Sequence, residues 1–236
     1  IRFGGGQALW DEAYAPHGVK PFYAGGSGTQ AGGWFKKQIN SLADLQGLKM
    51  RIAGLGGDIM SRVGVTTVLT PPGEIFTALQ TNVVDAAEFV GPWNDVALGL
   101  YQVAPYYYLP AFHEPGAALE CIVNMDFFDG LSPQLKRVIE TAAMATAEET
   151  YGDFRYHNTR VLQDLIERGV TIAAFPPDVV EALGEAAKEA IAAYPDGDPM
   201  SEKIHPAYFD YVRQCARYGR AVEGQTYIDR ARVWGV

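Results

Sequence analysis

Arg51, Glu88, Glu114 and Gln30 are the side chains whose types and settings suggest chemistry. Arg51 lies in Lys49-Met-Arg-Ile-Ala53, a single arginine in an otherwise apolar strand pattern, followed by the glycine-rich Gly54-Leu-Gly-Gly57. An arginine at the C-terminal end of a strand faces the edge where open α/β sheets bind ligands. Its planar guanidinium can hold a carboxylate through two parallel hydrogen bonds; a structural pair with an acid at the core edge is the alternative. Glu88 closes the strand pattern Asp85-Ala-Ala-Glu-Phe-Val90, just before Gly91-Pro92, and so falls on the same kind of edge. Glu114 lies in the tight turn Phe112-His-Glu-Pro-Gly116. Taken singly, Glu88 and Glu114 read as half-exposed acids, and His113, with no second histidine at metal spacing, reads as structural.

The neighbouring elements must position these groups. Ser41 to Gly47 forms a short helix, with Ser41 and Asp44 as a capping box and Gly47 as its stop. Gly54–Gly57 reads as a flexible turn into a helix over Asp58–Val63. Ala24 to Gly33 holds five glycines in ten residues. It lacks the lysine and hydroxyl residue of a phosphate loop and suits close backbone approach to a small ligand or a hinge, with Gln30 its one coordinating side chain. Strands are expected at Val19–Tyr23, Val65–Leu69, Asp85–Val90, Ala104–Leu109, Ala117–Asn124 and Thr171–Phe175. Of the three consecutive tyrosines at 106–108, one or two should line a cleft, since they cannot all face one side of a strand. Helices are expected at Gln7–His17, at Pro71–Gln80 with prolines in its first turn, and from Ser132-Pro133 beyond Tyr156. The last carries a stripe of Leu135, Val138, Ile139 and Ala142. Asp178–Ala193 follows, with Val180, Leu183, Ala187 and Ile191 on one face, and then a helical tail over Glu202–Arg232.

The 236 residues carry 19 basic and 28 acidic side chains, a net charge of −9, which argues against nucleic acid or an anionic membrane as the main partner. Hydrophobic residues make up 48% of the chain, enough for substantial cores, and no apolar run reaches membrane-spanning length. Cys121, in an apolar strand, and Cys215, in a helix, read as buried free thiols. The opening Ile1-Arg-Phe-Gly-Gly-Gly6 resembles a strand end and turn, without a signal sequence; a chain lacking its first βα units is the expectation.

Four segments then carry a resemblance: Gly28-Thr-Gln-Ala-Gly-Gly-Trp-Phe35, Asp44-Leu-Gln-Gly-Leu-Lys-Met-Arg-Ile52, Asp85-Ala-Ala-Glu-Phe-Val-Gly-Pro92 and Ala104-Pro-Tyr-Tyr-Tyr108. Together they resemble the extracytoplasmic solute-binding subunit of tripartite ATP-independent periplasmic (TRAP) transporters, the DctP-like superfamily, in its 2-oxo-acid and lactate-binding branch. The resemblance extends over nearly the whole chain and is most specific around Arg51. Members are normally longer at the N-terminus by roughly a hundred residues, in keeping with the expected truncation. The implied fold is α/β and two-lobed, periplasmic-binding-protein-like, with mixed sheets, a long connecting helix and a C-terminal helical tail. Residues 1–28 and 117–156 would form the remainder of the first lobe, 29–116 and 157–200 the second, and 201–236 the tail.

By the same resemblance, Arg51 pairs with the substrate carboxylate, and Gln30, Glu88, the Phe89 carbonyl and Glu114 hold a bridging Na⁺ or Ca²⁺. Gln30, Glu88, Phe89 and Tyr107 join Arg51 around the ligand. Departures fall at Gly26 and Ser27, where relatives place an asparagine, at Phe89 for a common tryptophan, and at Phe112-His113 for an aromatic pair. The implied function is a periplasmic receptor, not an enzyme. It would bind a small 2-oxo or 2-hydroxy carboxylate such as pyruvate or lactate, hand it to a membrane permease, and dimerise through its C-terminal helix. The competing reading is an enzyme acting on a small acid with Glu88 or Glu114 as general base, for which the chain offers no acid–base partner. A sensor subunit is a third.

Overall fold

The computed structural model describes residues 1–194 and 197–235; residues 195, 196 and 236, within the expected ranges 157–200 and 201–236, lie outside the described residues. Contacts divide the chain into two compact units, Ile1–Ile191 and Ala192–Val236.

In the first unit, helix α1 (Gly6–Tyr14) precedes strand β1 (Val19–Gly26), then β2 (Gly33–Phe35) and β3 (Lys49–Arg51). Helix α2 (Gly54–Arg62), strand β4 (Thr66–Val68), helix α3 (Ile75–Gln80), the two-residue strand β5 (Ala86–Ala87), helix α4 (Pro92–Ala97) and strand β6 (Tyr106–Tyr108) follow. Strand β7 (Ala118–Asn124), helices α5 (Met125–Asp129) and α6 (Pro133–Glu167), strand β8 (Thr171–Ala173) and helix α7 (Pro177–Ala192) complete the series.

One sheet has six strands in the order β4-β3-β5-β2-β6-β8. Strand β3 is parallel to β4 and β5, and β6 is parallel to β8, whereas β2 runs antiparallel to both of its neighbours. The inversion of β2 matters: its N-terminal end lies at the same sheet edge as the C-terminal ends of β3, β5 and β6. Successive residues of these strands feed different cores. Phe35, Met50, Ala86 and Tyr108 pack with Ile59, Met60, Val179 and Leu183. Trp34, Ala87 and Tyr107 pack with Ile75, Leu79, Leu100 and Leu165. Each such large buried side chain contributes about 1.5–3 kcal/mol.

The other sheet is the antiparallel pair β1–β7, beneath which Phe22, Phe128 and Ala143 form a small core. A two-stranded sheet cannot bury both faces, and β7 is largely exposed, Leu119 and Ile122 included, despite its apolar sequence. Cys121 is therefore exposed, as is Cys215, contrary to the expectation of buried thiols.

Ser132 caps α6, accepting from the Leu135 amide, with Pro133 in the first turn. The helix is 35 residues long and continues past Tyr156 as expected, but its buried residues are Ala143, Ala147 and Leu165, while Leu135, Val138 and Ala142 are exposed. On α7 the buried face is Val179, Leu183, Ala186 and Ala190, and Val180 is exposed. In both helices the buried face mixes alanines with larger residues, Leu165 on α6 and Val179 and Leu183 on α7.

Gly54–Gly57 is not a free turn. It forms the first turn of α2, with Gly56 and Gly57 buried. The expected strand at Asp85–Val90 shortens to Ala86–Ala87, and its following residues, Glu88 to Val90, turn into the site described below.

The second unit holds helix α8 (Pro199–Tyr218), a π-helical turn at Gly219–Gly224 and helix α9 (Gln225–Trp234). Asp198 caps α8 by accepting from the Ser201 amide. Among the described residues no helix is long and apolar enough to cross a membrane.

Candidate metal and anion site

Asp44 accepts from the backbone amides of Asn40 and Ser41, fixing the one-turn helix Leu42–Leu45 that leads into β3. Strand β3 then delivers Arg51 to the sheet edge, with its side chain only 7% exposed. Nε donates to the Thr70 carbonyl at 3.1 Å and Nη1 to the Glu88 carbonyl. The Phe89 ring centroid lies 5.8 Å from the guanidinium carbon. With Nε committed to Thr70, a carboxylate would be met end-on by the two Nη groups. Burial depresses the Arg51 pKa, and the negative charges of Glu88 and Asp95 work against that depression.

Glu88 follows β5 directly, and its amide donates to the Arg51 carbonyl at 2.9 Å. Its carboxylate is 5% exposed, and Oε2 stays 3.7 Å from Arg51 Nη1, beyond hydrogen-bond reach, while Oε1 has no hydrogen-bond partner. A buried carboxylate left this way is costly unless a cation completes it.

The loop after β6 brings in the remaining groups. His113 Nε2 lies 3.7 Å from Glu88 Oε1 and 3.9 Å from Glu114 Oε2, with side-chain exposures of 6% for His113 and 44% for Glu114. Glu88, His113 and Glu114 can each direct one ligand atom within 4.8 Å of the others. Gly56 makes room for this: a Cβ there would sit 2.7 Å from His113 Cδ2.

Gln30 precedes β2 and reaches the same edge because that strand is inverted. Its amide donates to the Glu114 carbonyl at 3.4 Å, and its carbonyl accepts from Ala111 at 2.9 Å. Its side-chain Nε2 donates to Ser27 Oγ at 3.2 Å. Ser27 Oγ in turn donates to the Gly28 carbonyl and accepts from the Ala117 amide. This arrangement leaves the buried Gln30 Oε1 as an acceptor with no partner.

Beneath the edge lies Asp95, fully buried on α4. Oδ2 accepts from Trp34 Nε1 and the Tyr107 hydroxyl, both at 2.9 Å, and Oδ1 from the Val90 and Gly91 amides, both at 3.1 Å. Burial raises its pKa to about 6; the donors from Trp34, Tyr107 and Val90 pull the value down, and the charge of Glu88 pushes it up. Tyr107 stacks on Trp34 at 4.0 Å, and burial first, then the Asp95 charge, pushes its own pKa well up.

Arg51, Glu88, Phe89, Glu114 and Gln30 thus share one sheet edge. Of the three tyrosines, Tyr107 and Tyr108 are fully buried. Tyr107 spends its hydroxyl on Asp95 in the core, and Tyr108 packs on Phe175 while its hydroxyl bonds the Ile39 backbone. His113 and Asp95 were not expected at the site. Their signals were faint: a lone histidine between a phenylalanine and a glutamate, and an acid within the first helical turn after Gly91-Pro92.

Nearby, Thr29, Gln30, Pro92, Leu109, Asn158 and Leu162 line a depression of about 220 Å³. Orphaned acceptors, hard oxygen donors and an arginine at one edge form a donor set for a cation beside an anion.

The family model described as "Bacterial extracellular solute-binding protein, family 7" matches residues 4–196. The chain belongs to this family. A monocarboxylate 2-oxoacid-binding periplasmic protein from Nostoc sp. is 34% identical over 220 residues, which is 93% of this chain and 60% of that protein. The chain therefore spans about three fifths of that relative's length. The solved structure of a TRAP periplasmic solute-binding protein from Colwellia psychrerythraea, with bound calcium and pyruvate, matches with a TM-score of 0.91 and 35% identity, covering 97% of this chain and 70% of that one. Another from Pseudoalteromonas atlantica, with bound sodium and pyruvate, gives 0.89 and 34%, covering 97% and 69%. The mixed α/β fold is that of TRAP solute-binding proteins, and the expectation of such a family member holds.

Proposed function

We propose that this chain is the substrate-binding part of a periplasmic TRAP receptor that captures a small 2-oxo or 2-hydroxy carboxylate, pyruvate-like or lactate-like, with a bridging cation. One observation carries the reading. The buried Glu88 Oε1 and Gln30 Oε1 lack hydrogen-bond partners beside an arginine whose Nη1 stays 3.7 Å from Glu88 Oε2, beyond hydrogen-bond distance. Arg51 takes the ligand carboxylate. Gln30 Oε1, Glu88, the Phe89 carbonyl and Glu114 hold Ca²⁺ or Na⁺, which in turn binds the ligand's carboxylate and 2-oxygen. Tyr107 acts from below by holding Asp95, not by touching the ligand.

The two sheets are assigned to two lobes, 1–28 with 117–156 and 29–116 with 157–200, which close on the ligand by favouring the closed population. Membrane permease subunits receive the acid. The tail, 201–236, pairs with a second copy, supported by the exposed Tyr208, Val212, Tyr218 and Val222 on helical surface. The proposed role is that of a receptor and not an enzyme, supported by the solute-binding family to which the chain belongs.

Calorimetry of the metal-stripped chain with pyruvate, with and without Ca²⁺ or Na⁺, tests this. Pyruvate should bind only with the cation and be recovered unchanged. Chemical turnover, or cation-independent binding, would overturn the reading.

A further inference from the structure

A glutamine side chain can serve a cation only when its oxygen, and not its nitrogen, faces the ion. We propose that Ser27 is a positioning residue that settles this for Gln30: the Ser27 hydroxyl dictates which way the carboxamide is turned and so presents Oε1 to the cation. That role rests on Gln30 Oε1 being a cation ligand, as in the proposed function above.

A serine hydroxyl has one hydrogen to donate and two lone pairs with which to accept. In Ser27, which is 4% exposed, all of them are spent. The hydrogen goes to the Gly28 carbonyl at 3.0 Å, and the lone pairs receive the Ala117 amide and Gln30 Nε2, both at 3.2 Å. No hydrogen is left for Gln30. A carboxamide turned over would press Oε1 against an oxygen that cannot donate, and would aim N–H hydrogens at the place of the cation. At 5% exposure the Gln30 side chain cannot turn to solvent instead. Its backbone is pinned from elsewhere, since its carbonyl accepts from Ala111 at 2.9 Å and its amide donates to the Glu114 carbonyl at 3.4 Å. The turn of the carboxamide is what remains to be fixed, and Ser27 fixes it, leaving Oε1 buried and without a protein partner. The Ala117 contact extends the effect. Gly26 and Ala118 are the last pair of the β1–β7 ladder, and Ser27 Oγ bonds Ala117 immediately beyond it. The segment that supplies Gln30 and the segment that leads back from Glu114 are thus held together by the same oxygen that orients Gln30.

The test measures Ca²⁺ affinity by calorimetry, with pyruvate present, for the full metal-stripped chain as wild type, Ser27→Ala, Gln30→Leu and the double variant, with thermal melts to verify folding. Ser27→Ala should weaken Ca²⁺ binding by roughly 10-fold or more, the effect usual when a group that orients a metal ligand is removed. In the Gln30→Leu background the same change should cost less than about twofold, because no carboxamide is left to orient. A serine with a purely structural role would weaken both backgrounds equally. A second measurement needs no Ser27 variant. The Gln30 side-chain amide protons, assigned by their loss in Gln30→Leu, should show an NOE to the Ser27 Hβ protons without metal and keep it with Ca²⁺. Equal losses in the two backgrounds, no loss in folded Ser27→Ala, or an NOE that is absent or vanishes with Ca²⁺ would each overturn the assignment. Ca²⁺-dependent pyruvate binding by the wild type would then still stand, and with it the receptor reading. Pyruvate binding by the wild type that ignores added Ca²⁺ would overturn the bridging-cation reading itself, and the role of Ser27 with it.

Discussion

Replacing Asp95 by asparagine should flatten the acid side of the stability profile. In the folded chain this carboxyl titrates at about 6, against an ordinary 3.8. Between those values the native state holds a proton that the unfolded state has released, so unfolding stability falls as pH rises. The contribution is fully present below 3.8 and lost as pH passes 6. At about 1.4 kcal/mol per pH unit the whole window is worth on the order of 3 kcal/mol. For a unit of this size that is roughly 6–12 °C in Tm. Other carboxylates act in the opposite sense on acidification, so the quantity to read is the difference between wild type and Asp95→Asn. Urea unfolding of the metal-free proteins, followed through buried Trp34 fluorescence from pH 4 to 7.5, supplies it. The variant's absolute stability is a separate matter, because its NH₂ must face either Trp34 and Tyr107 or the Val90 and Gly91 amides, donor against donor. Saturating Ca²⁺ should shrink the wild-type slope, since a cation beside Glu88 favours the ionised Asp95. Parallel pH profiles for the two proteins would refute the account of a strained buried carboxylate.

Arg51→Lys should weaken binding of the small acid by about 2 kcal/mol in calorimetry, because an ammonium cannot reproduce the planar fork. Glu114→Gln should keep the fold and lower cation and ligand affinity together; ligand affinity independent of added cation would remove Glu114 from the site. Gly56→Ala should displace His113, since the new Cβ would sit 2.7 Å from its Cδ2, and cation affinity should fall with little loss of helix content by circular dichroism. The full chain should sediment as a dimer and a version ending at residue 198 as a monomer; monomers in both cases with equal Tm would retire the tail as a dimerisation element.

Much of this arrangement was legible locally, and the illegible part was topological. The strand at Lys49–Arg51 and the edge positions of Arg51 and Glu88 follow from short-range signals: a capping box, β-strand patterning and glycine stops. What no window of sequence displays is that β2 enters between β5 and β6 in the opposite sense, and that alone carries Gln30 to the Arg51 edge. Burial faces read from helical spacing alone were offset by a residue on α7 and by several on α6. Val180 and Val138 are exposed, while Val179 and Leu183 on α7 and Ala143, Ala147 and Leu165 on α6 are buried. Gly56 and Gly57 read as a flexible turn, yet both are buried in the first turn of α2, and Gly56 leaves room for His113 where a Cβ would sit 2.7 Å from Cδ2. Asp95 was hidden because its importance lies in donors from residues 34, 90, 91 and 107, brought together only by the fold.

The distance between Arg51 and Glu88 is the most informative number in the site. Oppositely charged side chains this buried would normally close into a direct, hydrogen-bonded pair, since each otherwise bears most of its desolvation cost. Here they remain at 3.7 Å, and the guanidinium is held instead by the Thr70 and Glu88 carbonyls. Main-chain anchors fix the arginine without neutralising it, and the orphaned Oε1 leaves Glu88 equally incomplete. A closed pair would be self-satisfied and would have to be broken before any ligand could bind. Two separately held, unfinished charges can instead be completed at once by an anion and a cation that also bind each other. That arrangement makes the affinities for the two mutually dependent, as a bridging ion requires.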